Sequence, residues 1–316
     1  MTGEFQIIRD YFQRPVESDE LRVGIGDDGA VLRPREGYDQ VVVTDTLVEG
    51  RHFPAGFAAE DIGWRALAVN LSDIAAMGAV PRFAFLNLTL PIAEHEWLSA
   101  FARGFFALAE PSGVTLAGGD TTQGPLSLTV TVFGDVDENK AVLRNGAKPG
   151  DRICVSGSLG DAAAGLEILL RGASSENVLV SRFRKPEPRL ALGRNLAGTA
   201  SAAIDISDGL MADLGHILEA SGVGARVELS SLPISSALAD YSERAPDYAL
   251  AGGDDYELCF CLSAKKLAEL RAMDNACDIT CIGEVTSERD LVILDNNGNH
   301  YQPSRRSWEH FMEWSK

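Results

Sequence analysis

The sequence predicts an α/β or α+β protein with mixed sheets, folded as two domains. Helix-like and strand-like runs alternate in both halves of the chain. Its 316 residues exceed what one ordinary hydrophobic core organises. The turn-rich stretch DENKAVLRNGAKPGD (137–151) changes the texture between the halves, which gives domains at 1–138 and 139–316. No solenoid-like period runs through either half.

Taken in order, residues 5–12 predict a short helix, and VGIGDDGAVL (23–32) a strand interrupted by an acidic glycine turn. QVVVTD (40–45) is a β-branched strand. In ALAVNLSDIAAMGAVP (66–81), Leu67, Leu71 and Ile74 recur at helical spacing as one buried face, and Gly78 with Pro81 marks the stop. FAFLNLTLP (83–91) alternates as a strand, and HEWLSAFARGFFALAEPSG (95–113) reads as an amphipathic helix. VTLAGGDTTQGP (114–125) leads into the strand LSLTVTVFGDV (126–136).

The second half opens with the strand DRICVSG (151–157), a glycine turn and the helix DAAAGLEILL (161–170). A polar basic segment, SRFRKPEPR (181–189), precedes another helix. AIDISDGL (203–210) is a strand delivering two acids into the start of the helix MADLGHILEASG (211–222). YALAGGDDYELCFCLS (248–263) follows, with Cys259 and Cys261 on one sheet face. A helix near 264–273, strands DITCIGEV (278–285) and DLVILDN (290–296), and a tail with Trp308, Phe311 and Trp314 complete the chain.

Apolar content of 45% with 23% charged residues is that of a globular protein. No apolar run approaches a membrane span, and the opening MTGEFQIIRDYF lacks a basic n-region and an apolar h-region, so a cytoplasmic location is expected. The net charge of −18, from 46 acids against 28 bases, repels nucleic acid and anionic membranes and argues against both as partners. It also repels phosphorylated substrates, so a phosphate-handling protein of this charge needs cations between its carboxylates and the ligand. The five cysteines, Cys154, Cys259, Cys261, Cys277 and Cys281, are an odd number and predict reduced thiols, either packing residues or a zinc site from the two close pairs.

Acids recur in one local setting, an apolar run followed by Asp beside Gly or Thr: GDDG (Asp27, Asp28), VVVTDT (Asp45), GGDTT (Asp120), IDISDG (Asp205, Asp208) and GGDDYE (Asp254, Asp255). Any one is an ordinary turn. Asp73 differs, because it shares a helical stripe with Asn70, flanked by Ala66 and Met77, where a carboxylate needs either backbone N–H groups or a metal ion. Acids converging from these positions would repel each other unless divalent cations held them, and all-oxygen sites suit magnesium. No G-x-x-x-x-G-K-[ST], H-E-x-x-H or G-x-S-x-G motif occurs, and the glycines at 157, 160 and 165 do not make a G-x-G-x-x-G fingerprint. His52, in a loop beside Arg51, is the histidine candidate for function; His95, His216, His300 and His310 read as surface or packing residues.

Read together, GIGDDGAVL, TDTLVEGRHF, ALAVNLSDIAAMGA, GGDTTQGPL, AIDISDGL and GGDDYELCF resemble, in order and spacing and over nearly the whole chain, the bacterial thiamine-monophosphate kinase family. That family shares a superfamily with aminoimidazole ribonucleotide synthetase, selenophosphate synthetase and a hydrogenase maturation protein. The resemblance implies ATP-dependent phosphorylation of thiamine monophosphate to thiamine diphosphate with several Mg2+ ions. It implies a homodimer in which the N-terminal sheets of two subunits pair into a barrel, with a second α/β domain outside. It carries magnesium roles to Asp28, Thr44, Asp45, Asp73, Asp120, Asp205 and Asp208, and ATP contacts to Gly119, Asp120, Arg144 and Ser207. It carries the thiamine phosphate pocket to His52, Asp254 and Trp308, the last as a stacking surface for the cationic ring. Arg51 stands where the resemblance leads one to expect a neutral residue.

The reading that follows is direct in-line transfer without a phosphoenzyme, with Arg144 and the metals stabilising charge. Two alternatives are weighed. A superfamily enzyme with another phosphate acceptor is disfavoured by the lack of a cysteine before GDDG and by an ending, EWSK, without the maturation protein's cysteine. A non-catalytic cation-binding module would show solvated acidic faces rather than acids beside glycines at successive strand ends.

Overall fold

A computed structural model describes residues 4–15, 18–172 and 177–304. The chain divides into two compact units, Met1–Ile74 with Ala79–Ala141, and Ala75–Gly78 with Val142–Lys316.

Unit 1 begins with α1 (Glu4–Ile7), continued by a single π-helical turn at Ile8–Phe12. β1 (Leu21–Val23) and β2 (Val31–Leu32) form a two-stranded antiparallel hairpin of their own, so the 23–32 stretch is two short strands around the acidic glycine turn. β3 (Tyr38–Val48), α2 (Ala59–Ala76), β4 (Val80–Leu90), α3 (His95–Ala109), β5 (Thr115–Gln123) and β6 (Ser127–Asp137) follow. The four long strands form a mixed sheet in the order β3-β6-β4-β5, antiparallel except for β4 with β5.

Leu67, Leu71 and Ile74 are fully buried, as their spacing predicts. Ile74 reaches β6, its Cδ1 lying 3.1 Å from where a Cβ on Gly134 would stand. Helices α2 and α3 cross at glycines: a Cβ on Gly63 would meet Phe101 O at 2.1 Å, and one on Gly104 would meet Glu60 O at 1.8 Å. Among the described residues, the opposite face of the sheet is partly exposed. Val42 is 52% exposed there, Thr44 Oγ1 and Thr46 Oγ1 bridge to Thr131 Oγ1 and Thr129 Oγ1 at 3.0 and 2.8 Å, and Phe85 meets Phe133 edge to face at 5.5 Å.

Two acid positions differ from the sequence expectation. Asp45 and Asp120 lie inside β3 and β5 rather than in turns at strand ends. The β-branched VVVT and TLV runs extend the β3 ladder across eleven registered pairs, and the parallel pairing with β4 carries β5 through its glycines.

Unit 2 is built on a six-stranded mixed sheet, β12-β9-β11-β7-β10-β8. Its elements in chain order are β7 (Arg152–Ser156), α4 (Asp161–Leu170), α5 (Val178–Arg184), α6 (Leu190–Leu196), β8 (Ala202–Asp205), α7 (Leu210–Ser221), β9 (Gly224–Glu228), α8 (Ser236–Tyr241), α9 (Ala245–Ala251), β10 (Leu258–Leu262), α10 (Ala264–Arg271), β11 (Ile279–Thr286) and β12 (Leu291–Leu294). Helices cover both faces, so β10 is buried throughout: Cys259 and Cys261 join one core with Ile153, Ile204 and Leu214, while Leu258 and Phe260 join another with Leu192 and Leu267. The basic stretch SRFR is the end of α5, whose N-cap Asn177 accepts from Leu179 N at 2.8 Å. Burial pushes the Cys261 thiol up to about 12 and Cys277 up to about 11, and the described cysteines are free thiols.

Asp247 on α9 is 3% exposed and accepts from Tyr301 Oη at 2.6 Å, from Ser304 N at 3.3 Å, and from Ser304 Oγ. These hydrogen bonds outweigh burial and hold its carboxyl below the usual carboxylate range.

Two outcomes follow for stability. Gly104→Ala drives a methyl into the α2 backbone and should lower unfolding free energy by about 1–3 kcal/mol in urea titration, where an unchanged midpoint would contradict the crossing. Asp247→Asn should cost about 1–2 kcal/mol at neutral pH. Because the native carboxyl titrates below its unfolded value, its contribution is present above the unfolded pKa and lost as pH falls through the native one, so the variant and parent melting curves should converge in acid.

Candidate active site

The acids of unit 1 gather in two groups. In the first, Asp45 on β3 and Asp73 on α2 share a side-chain hydrogen bond, with His52 nearby. Burial pushes the Asp45 carboxyl up, against the opposing pull of its hydrogen bond with Asp73. His52 Nδ1 accepts from Val48 N at 3.0 Å, which leaves Nε2 to carry the proton. The partner that Asp73 needs is therefore another acid, and Asp73 is half-buried rather than enclosed. Two carboxyls in contact either share a proton or hold a cation.

The second group lines a cavity of about 620 Å³ between the acidic glycine turn (Gly24 to Ala30) and the middle of β4 and β5. Asp27, Asp28, Asn87, Gly119 and Asp120 all face it, and Asp28 and Asp120 are exposed. Gly119 has φ +141°, and a Cβ there would meet Leu86 O at 1.9 Å, so only glycine lets β5 run this close to β4. The register relates the groups: Asp45, Val130, Leu86 and Gly119 share one row across the sheet, and Thr46, Thr129, Asn87 and Asp120 the next. Thr44 lies on the sheet face opposite α2, bonded to Thr131.

Unit 2 gathers its own acids where β8 passes into α7. Asp205 ends β8, and Ser207 and Asp208 form the turn before α7. Asp213, which the sequence reading did not single out, accepts from Ser207 N, Asp208 N and Gly209 N at 3.0 Å each. Burial, with the charges of Asp205 and Asp208, pushes it up to about 8 despite those bonds. The GGDDYE loop is zipped to this turn: Asp254 N donates to Ser207 O and Tyr256 N to Ile206 O, both at 2.8 Å. Asp254 and Tyr256 adopt φ of +68° and +51°, strained for residues with a Cβ.

The rest of that motif is structural. Asp255 accepts from Gly160 N at 2.8 Å and is pushed well up by burial. Glu257 is buried and accepts from Arg182 Nη2 at 2.8 Å, Arg189 Nε at 2.6 Å and Ser156 Oγ at 2.5 Å, which accounts for Arg182 and Arg189 of the basic segment. Arg144 is exposed, its carbonyl accepting from Ser221 Oγ at 3.4 Å. Trp308 lies outside the described residues. Among the described residues, no group of three or more His, Cys, Asp or Glu stands in a metal-holding arrangement. The acids come as pairs and turns, which suits hard cations that complete their shells with water and phosphate oxygens.

The N-terminal and C-terminal domain models of AIR synthase related protein match residues 26–136 and 148–296. The thiamine-monophosphate kinase of Haemophilus influenzae is 45% identical over 90% of this chain and 90% of its own. The chain belongs to the thiamine-monophosphate kinase family. The crystal structure of the family member from Stenotrophomonas maltophilia superposes with TM-score 0.84 at 46% identity, over 90% of this chain and 93% of that one. AaThiL, solved in complex with AMPPCP and TMP, matches with TM-score 0.79 at 32% identity over 91% and 92% of the two chains.

Asp73→Asn removes one of two facing carboxylates. If the pair holds a metal ion, turnover should fall by roughly 100-fold or more, since losing a ligand would remove several kcal/mol of charge stabilisation. The metal-free variant should melt no lower than its parent, because an amide can keep the hydrogen bond to Asp45 without a second acidic group. Unchanged turnover, or a melting point lowered without metal, would contradict this.

Proposed function

We propose that this protein transfers the γ-phosphoryl group of ATP to thiamine monophosphate, giving thiamine diphosphate and ADP. The observation that carries the reading is similarity over 90% of the chain to a thiamine-monophosphate kinase, and over 91% to AaThiL, solved with AMPPCP and TMP. The acid groups supply its chemistry. Unit 1 offers Asp28, Thr44, Asp45, Asp73 and Asp120 to Mg2+, and unit 2 offers Asp205 and Asp208. The contact of Asp45 with Asp73 fits this use, because a divalent cation would offset the charge of two adjoining carboxylates. Magnesium, when bound, neutralises the two approaching anions and orients the phosphoryl group.

The chain's own residues bind and align. Gly119 and Asp120 on the cavity wall, with Ser207 and Arg144, receive the nucleotide, and Arg144 offsets charge on the transferred group. His52, Asp254 and Trp308 receive the thiamine phosphate. No side chain has to remove a proton from the acceptor: a phosphate monoester has its second pKa near ~6 and is already largely dianionic at neutral pH. Transfer is then direct and in line, without a phosphoenzyme.

The active form is a homodimer. The outer face of the unit 1 sheet, with Val42, Phe85 and Phe133 among threonines, suits a second copy pairing sheet to sheet into a barrel. Val42→Asp should shift sedimentation to the monomer, and a variant that stays dimeric would contradict this interface.

Incubation with ATP, Mg2+ and thiamine monophosphate should give stoichiometric ADP and thiamine diphosphate. ATP consumption only with a different phosphate acceptor, or with none, would overturn the assignment.

A further inference from the structure

The hairpin that carries the acidic glycine turn is too small to hold its own shape. β1 and β2 contribute three and two residues, and their register shifts between Leu21 and Val23. A two-stranded ribbon of that size is marginal in water. At its open end, Arg33 N donates to Glu20 O at 2.7 Å, and beyond that bond lies a closed circuit of four charges.

Glu20 pairs with Arg82 Nη2 and with Arg35 Nε, each at 3.4 Å. Asp135 accepts from Arg82 Nε at 3.1 Å and from Arg35 Nη1 at 3.4 Å. Each charge thus touches two of opposite sign, and the circuit is neutral. Glu20 and Arg35 flank the hairpin, whereas Arg82 and Asp135 belong to β4 and β6. The two strands are paired there with one extra residue: Pro81 faces Gly134, Phe83 faces Phe133, and Arg82 is the bulged residue between them. A bulge re-aims a side chain out of the alternation. Arg35 is further fixed by its guanidinium lying 4.1 Å from the Tyr38 ring centroid. Asp135 is 8% exposed, so the circuit is anchored in the sheet and not only on the surface. Isolated exposed pairs contribute little, but a network of forked arginines on a fixed strand holds geometry.

We propose that Glu20, Arg35, Arg82 and Asp135 are positioning residues for the nucleotide: they clamp the base of the β1–β2 hairpin to β4 and β6 and so hold Asp27 and Asp28 against the cavity that Asp120 lines. This rests on the kinase reading for its kinetic consequence, but not for its structural one. None of the four residues lines that cavity, so breaking the circuit changes how well the turn is held and not the groups that act.

Hydrogen exchange on the full-length, nucleotide-free chain tests the clamp without assuming any activity. Arg82→Gln should speed exchange across residues 21–32 by roughly three- to tenfold while leaving the centres of β4 and β6 unchanged. In steady-state assays the same variant should raise KM for ATP by a similar factor, with kcat and KM for thiamine monophosphate held. Arg82→Lys, a point charge that cannot fork to both acids, should fall between. Arg82→Gln with Asp135→Asn should cost little more than either alone. Glu20→Gln, outside the four-stranded sheet, provides the same test should Arg82→Gln fold poorly. Unchanged exchange at 21–32 in Glu20→Gln and Arg82→Gln, or both KM values rising together, would overturn the clamp. A parent chain inactive on thiamine monophosphate would overturn the kinase reading and leave the exchange result to decide the clamp.

Discussion

Two carboxyl groups within hydrogen-bonding reach are the constraint on which the rest of this molecule turns. Asp45 is fixed by an eleven-pair ladder and Asp73 by a helix whose apolar face is wholly buried, so neither can swing away from the other. Burial raises the Asp45 carboxyl while its hydrogen bond with Asp73 opposes that shift. In a chain of net charge −18 such a contact suits the divalent cation proposed above.

The scaffold explains why the acids are fixed where they are. In unit 1 the sheet register sets Asp45 and Gly119 in one row and Asp120 in the next, and glycine at 119 lets the parallel strand come close enough to do so. In unit 2 no single strand holds the acids. Asp213 gathers three backbone N–H groups of the SDG turn, and the GGDDYE loop is hydrogen-bonded to the same turn. Both arrangements spend stability on strained or repelling groups, as sites that bind charged ligands commonly do.

Much of this was legible in the sequence. The spacing of Leu67, Leu71 and Ile74 marks the buried helix face, the alternation in ELCFCLS separates Cys259 and Cys261 from Leu258 and Phe260, and the repeated Asp-Gly setting picks out the acids. Other features were hidden for physical reasons. Asp45 and Asp120 look like turn residues because Gly and Thr flank them, yet ladder pairing carries the strands through. Asp213 sits on an ordinary helical face, and only the approach of the preceding turn reveals its role. That Asp73 meets Asp45, twenty-eight residues away, depends on a helix crossing a sheet, which local pattern cannot specify.

The most direct measurement is anomalous scattering from crystals grown with Mn2+ in place of Mg2+, together with AMPPCP and thiamine monophosphate. Metal peaks should lie at the Asp45 and Asp73 carboxylates and within coordination distance of phosphate oxygens. Peaks elsewhere, with Asp45 and Asp73 still sharing a hydrogen bond in the loaded enzyme, would contradict their role as metal ligands.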